Sequence, residues 1–159
     1  MEQFIEYLLV SKQKIYLAEK LLNETYPLAD EPKLFFGVLQ NTYFGVKYAL
    51  LGLFCFEKMF ERVPKVDSME EMTSILFKDS SKKYPALKKI QNDYLVCEHL
   101  LSKHKDSMIT FSKKENIMMY DDNYNLSKFG ITEVRAFLEN AKNFHKEISK
   151  ILDLPVDAK

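Results

Sequence analysis

At 159 residues, with 23 lysines and arginines balanced by 23 aspartates and glutamates, the chain is sized for one domain with a real core, residues 1–159. It has no overall field to draw it to nucleic acid or an anionic membrane. Its first residues, MEQFIEYLLVSKQK, carry acids where a secretory leader has lysines, and the apolar positions are interrupted, so the chain is read as cytoplasmic and without a membrane span. Cys55 and Cys97 lie in apolar stretches without a C-x-x-C companion, which excludes a disulfide framework and reads as two buried thiols.

Residues 2–25 place Phe4, Leu8, Ile15, Ala18 and Leu22 on one face, widened by Ile5 and Leu9, the spacing of an amphipathic helix. Tyr26-Pro27 is expected to end it, because the residue before a proline is pushed out of helical geometry. The PLADEP link then leads to a central helix over Lys33 to Arg62, with Pro32 in its first turn. This stretch is the most apolar in the chain. Phe35, Leu39, Val46, Ala49, Leu53, Phe56 and Phe60 form one seam, and Phe36, Tyr43, Leu50 and Phe54 a second. Only Gln40, Lys47, Lys58 and Glu61 are left for water, so the helix is wrapped by others. Gly37, Asn41, Gly45, Ala49 and Gly52 recur at steps of about four, a ridge of small side chains on which a neighbouring backbone can come close, within the chain or in a homodimer. Each glycine costs a helix about 1 kcal/mol relative to alanine.

Val63-Pro64 closes the central helix, and Ser68-Met69-Glu70-Glu71 is a capping box for a short one. Tyr84-Pro85 opens the next helix, with Leu87, Ile90, Tyr94, Cys97 and Leu101 facing inward and an end near His104. Between Ser107 and Tyr120 the period changes to alternation, which fits a small β-hairpin turning at Lys113 to Asn116. A polar loop from Asp121 to Gly130 follows, then a last helix capped by Thr132 and running to about Leu154 before Pro155. Its inner face is Val134, Leu138, Ala141, Phe144, Ile148 and Ile151. The sum is an all-α, up-down bundle of four to five helices with a hairpin before the last.

Enzyme signatures are missing. No glutamate has a histidine three residues later, as a di-iron bundle requires, and His99 and His104 sit about 140° apart around a helix. Asp121-x-Asn123-x-Asn125 begins like a calcium loop, but Leu126 holds the glycine position and Thr132 the bidentate glutamate position. No metal and no cofactor are expected. Glycine-rich phosphate cradles are absent too. The middle of the chain is basic: Lys78, Lys82, Lys83, Lys88, Lys89, Lys103, Lys105, Lys113 and Lys114 face only four acids. Tyr84, Tyr94 and Phe111 lie among them, so Lys82, Lys83, Lys88 and Lys89 are candidates for tracking phosphates beside stacking rings; the alternative is a solvated lysine face with the tyrosines in the core.

The second helix, Asn41-Thr42-Tyr43-Phe44-Gly45-Val46-Lys47-Tyr48-Ala49-Leu50-Leu51, and the closing segment Ala141-Lys142-Asn143-Phe144 resemble the HEPN family (higher eukaryotes and prokaryotes nucleotide-binding) in hydrophobic texture. The resemblance implies a helical bundle that commonly dimerises. It further implies either a metal-independent ribonuclease or a non-catalytic member that partners a nucleotidyltransferase or binds nucleic acid. The ribonucleases of that family carry Arg-x4–6-His on one helix. Here Arg135 and His145 share a helix with nine residues between them, so the expectation is a non-catalytic binding or assembly protein, homodimeric; an RNA-cleaving dimer using Arg135 and His145, or RNA binding through the lysine-rich middle, is the alternative.

Overall fold

A computed structural model describes residues 2–107 and 109–153. In chain order the elements are α1 (Gln3–Lys20), a π turn (Leu21–Thr25), α2 (Tyr26–Ala29), α3 (Leu34–Met59), α4 (Met69–Lys78), a 3-10 turn (Ser80–Lys82), α5 (Pro85–Asp106), β1 (Ile109–Lys113), β2 (Asn116–Tyr120), β3 (Leu126–Gly130) and α6 (Ile131–Ile151).

The central helix is α3. Phe35, Val38, Val46, Ala49, Leu50 and Leu53 along it are wholly buried, beneath α1, α5 and α6. Directions follow from the contacts. Ser11 of α1 donates to the Gly45 carbonyl at 2.6 Å, Cys97 of α5 lies 3.5 Å from the Leu39 carbonyl, and Asn140 of α6 reaches Asp93 of α5 at 2.6 Å. With Phe36 stacked on His104 and Glu57 beside Lys83, α3 runs against α5. Gly52 lies against Leu8, and Gly45 against Ile15, so α3 also runs against α1. The result is an up-down bundle closed by α6. No described helix is long and apolar enough to cross a membrane.

The small-residue ridge is spent inside this bundle. A β-carbon on Gly45 would come to 2.6 Å from Ile15 Cγ1, and one on Gly52 to 3.2 Å from the Phe4 carbonyl, while Ala49 between them is fully buried. Leu21 stands over Gly37, and Asn41 bonds its own helix at the Gly37 carbonyl. The close approach that glycine permits is therefore made by α1, and the ridge is not a dimer face.

Three boundaries differ from expectation. Tyr26-Pro27 does not stop the first helix: the chain widens into the π turn, where Tyr26 N–H bonds the Leu21 carbonyl, and continues to Ala29 before Asp30 turns left-handed at φ 48°. Leu126–Gly130 is a third strand, giving an antiparallel sheet β1-β2-β3 where a hairpin and loop were expected. Thr132 is not the cap of α6, because the helix starts two residues earlier than that cap implies, at Ile131 after Gly130, with Glu133 Oε2 accepting from Gly130 N–H at 3.1 Å. The expectation that α6 reaches Leu154 and Pro155 lies outside the described residues. The sheet buries Ile117, Met119 and Phe129, with Phe129 edge-on to Phe36 of α3, and so covers the end of the bundle where α5 finishes and α6 begins.

Candidate nucleic-acid interface

Helix α5 divides the lysine-rich middle into two places. It is 22 residues long, about 33 Å. Lys82, Lys83, Lys88 and Lys89 gather at its start, whereas Lys103 is held by Asp121 at 3.0 Å at its far end and Lys113 and Lys114 sit in the β1–β2 turn. That aspartate is held at about 2, well below the usual carboxylate range, by the Asn125 backbone N–H first and then by Lys103. The DNYN turn is thus tied by Asn123 and Asn125 N–H groups onto Asp121 Oδ1 at 2.9 and 2.8 Å. Among the described residues no group of three His, Cys, Asp or Glu side chains is placed to hold a metal.

The rings expected beside the lysines are mostly unavailable. Tyr84 and Tyr94 are core residues. Tyr94 lies face to face with Tyr43 at 4.9 Å, and Tyr43 donates to Glu98 at 2.7 Å; burial first, and then these hydroxyl and carboxylate neighbours, hold the Tyr43 phenol far above its ordinary value. Phe111 is exposed, but on the sheet, stacked on Tyr120. These aromatics build structure, not a stacking platform for bases.

What the structure does assemble is cations from three elements around the start of α5. Lys89 lines a groove of ≈ 570 Å³ between α5 and α6, facing Lys146 and Lys150 together with Asn140 and Asn143. Lys142, Lys146 and Lys150 stand four apart, a stripe on one side of α6. Lys142 is committed to Glu19 at 3.0 Å, which raises its pKa, and Lys150 lies 3.5 Å from Glu147. Lys89 and Lys146 make no ion pair among the described residues.

At the other side of the same helix end stands Arg62. The C-terminus of α3 closes with Arg62 N–H on the Glu57 carbonyl at 3.0 Å and Glu61 N–H on the Lys58 carbonyl at 3.1 Å, with Glu61 at φ 56°, a Schellman arrangement. This turn folds the Arg62 side chain back over α3. Its Nη1 lies 3.1 Å from Oε2 of Glu57, whose side chain is 3% exposed, and 3.4 Å from the Tyr84 hydroxyl. Lys83 Nζ approaches the other carboxylate oxygen at 4.0 Å. Two surface cations therefore converge on one buried acid.

The remaining candidates do not converge. His145 is buried, with Nε2 3.1 Å from the Leu8 carbonyl, which makes Nε2–H the donor. Burial, its largest cause, holds its pKa below the usual value, with Lys12 adding to the effect, so the ring is neutral at pH 7. Arg135 is exposed, and ten residues of helix separate the two by about 15 Å. No protein-family model, curated protein or solved structure matches the chain.

Sequence reading names Lys82, Lys83, Lys88 and Lys89 as candidates and does not name Arg62, Glu57, Lys146 or Lys150, which the structure places near the same end of α5. The four-residue spacing of the α6 lysines was legible. The Glu57–Arg62 pair was not, since it depends on a non-glycine residue taking the left-handed position after α3.

Proposed function

We propose that this chain is a non-catalytic binding protein of the HEPN-like kind, which holds RNA by its phosphates on the surface around the start of α5. The observation that carries this reading is the gathering of cations near the start of α5: Lys89 shares a groove with Lys146 and Lys150 of α6, and Lys83 meets Arg62, three residues beyond the end of α3, at Glu57, with Lys82 and Lys88 next to them in the chain. A protein of zero net charge needs such segregation to attract a polyanion, because distant charges are screened within about 8–10 Å at physiological salt. Binding is therefore sequence-tolerant and salt-dependent. Glu147 and Asp93 beside the groove keep it weak, in the range of roughly 10⁻⁴–10⁻⁶ M typical of phosphate contacts alone. Catalysis finds no support in His145, whose Nε2 is engaged by a backbone carbonyl, or in Arg135 at a distance from it. Fluorescence anisotropy with a labelled oligoribonucleotide tests the reading. Binding weakened at least tenfold by Lys89→Glu with Lys146→Glu supports it; unchanged binding refutes it.

Assembly as a homodimer is the second reading, favoured by the outer face of the sheet. Ile109, Tyr120 and Leu126 align across the three strands, with Phe111 beside Met118 in the next row, and Ile109, Phe111 and Leu126 are exposed. An exposed apolar row at an open sheet edge is a recognised association surface. Light scattering during size exclusion decides it. A dimer that Ile109→Glu with Leu126→Glu converts to monomer supports this face, and a monomeric parent protein removes it.

A further inference from the structure

The buried acid at the end of α3 has no obvious reason to be there. Glu57 is a charged residue in the core, its Oε2 lacks a well-directed hydrogen bond, and its partners are the surface cations Arg62 and Lys83. A carboxylate so placed has one clear effect on its neighbours: it fixes where their charges stand. Long cationic side chains on a surface are otherwise free to sweep through many rotamers, and ordering each on binding costs conformational entropy. Arg62 is further fixed from two sides, its guanidinium 4.7 Å from the Phe60 ring and its Nη1 beside the Tyr84 hydroxyl. Lys83 lies 5.0 Å from the ring of Tyr84.

Only Nη1 of the guanidinium makes the polar contacts. Nε and Nη2 have no protein partner among the described residues, and the side chain is 39% exposed. A planar fork anchored through Nη1, with Nε and Nη2 unengaged by protein, matches the two oxygens of a phosphoryl group, as a lysine point charge does not. Lys83, 54% exposed, brings a second positive charge to the same carboxylate. Glu57 offsets one of the two charges, but from beneath, on the inner edge of the fork.

We propose that Arg62 and Lys83, positioned by Glu57 and Tyr84, form a subsite for a phosphoryl group at the end of the bound strand, its 5′-terminal phosphate. This rests on the RNA-binding reading above. It adds that one end of that surface is a built site, whereas Lys88, Lys89, Lys146 and Lys150 follow the chain's internal diesters. Two cations sharing one anchor favour the dianion of a terminal phosphate over the single charge of a diester.

The test compares one 3′-labelled oligoribonucleotide with and without a 5′-phosphate by anisotropy. The parent protein is expected to prefer the phosphorylated form by about tenfold, equivalent to roughly 1.4 kcal/mol. Arg62→Lys keeps the charge but loses the fork, and Lys83→Ala removes the second cation; each is expected to bring the preference to near unity, the 5′-phosphorylated form losing about tenfold more affinity than the 5′-hydroxyl form. Equal binding of both forms by the parent overturns the subsite, while their joint weakening by Lys89→Glu with Lys146→Glu leaves the wider reading standing. If neither RNA binds, the wider reading has failed and inorganic phosphate decides the subsite alone. A saturable shift of the Arg62 Nε–Hε resonance, absent in Lys83→Ala, then upholds it, and no shift at millimolar phosphate overturns it.

Discussion

Replacing Arg62 by alanine leaves Glu57 as a carboxylate in the core with its nearest cation gone. The magnitude follows from the exposures. Removing one partner of a fully buried ion pair costs about 3–5 kcal/mol. Here Glu57 is 3% exposed but Arg62 is 39% exposed, and Lys83 remains at 4.0 Å, so the loss is discounted to about 2–3 kcal/mol. The turn itself is untouched, because the Arg62 N–H to Glu57 carbonyl bond belongs to the backbone. For a domain of this size each kcal/mol moves the melting temperature by about 2–4 °C, so a fall of roughly 4–12 °C is expected. Urea unfolding followed by circular dichroism gives the free energy, with an unchanged m-value showing that the same surface is exposed. Adding Glu57→Met removes the stranded charge and should return stability to within about 1 kcal/mol of the parent. A loss below about 0.5 kcal/mol in Arg62→Ala, or a double variant as unstable as the single one, refutes the ion-pair account.

Gly45→Leu drives a side chain into Ile15 and the Ser11 backbone and should destabilise the monomer by more than the roughly 1–3 kcal/mol typical of overpacking, partly offset by about 1 kcal/mol of helix propensity; a stable Gly45→Leu protein in calorimetry contradicts the α1–α3 packing. His145 gives a pH signature. Burial holds its pKa below the ordinary 6.5, against the Leu8 carbonyl, which raises it, so the unfolded chain takes the proton first. Its contribution is present above about pH 6.5 and is lost as pH falls through the folded value. His145→Gln, which keeps a donor for the Leu8 carbonyl, should flatten the fall of unfolding free energy between pH 7 and pH 5, and an identical slope in both proteins refutes this. Ser68→Ala removes the oxygen that accepts Glu71 N–H at 3.1 Å and should cost about 1 kcal/mol in the same urea assay.

The bundle was legible because its apolar periods are long and regular. Phe4, Leu8, Ile15, Ala18 and Leu22, the α3 seam from Phe35 to Leu53, and Val134 to Ile148 are all buried as their spacing requires. The strand Leu126–Gly130 was not legible, since its LSK start reads as loop and Phe129 is its one large buried side chain. Proline at position 27 misled for a related reason: the rule that it stops a helix assumes regular α geometry, and a π turn relaxes that geometry. The glycine ridge reads in the sequence as a close-packing surface, and only the fold shows that the neighbour at Gly45 and Gly52 is α1. The candidate surface was half legible. Local sequence shows lysines in a run; it does not show that α5 carries half of them to the opposite end of the bundle, or that α3 and α6 bring others in to replace them.

RNA binding by phosphates, proposed for the cations gathered at the start of α5, has a direct signature in salt. The most direct measurement is the salt dependence of oligoribonucleotide affinity for the parent protein and for Lys89→Glu with Lys146→Glu. The expected result is a linear fall of log K with log salt, with about 0.7 of slope for each phosphate neutralised on a single strand, and a slope shallower by at least 1 in the double variant. Affinity that is independent of salt, or a slope that the double variant leaves unchanged, would contradict it.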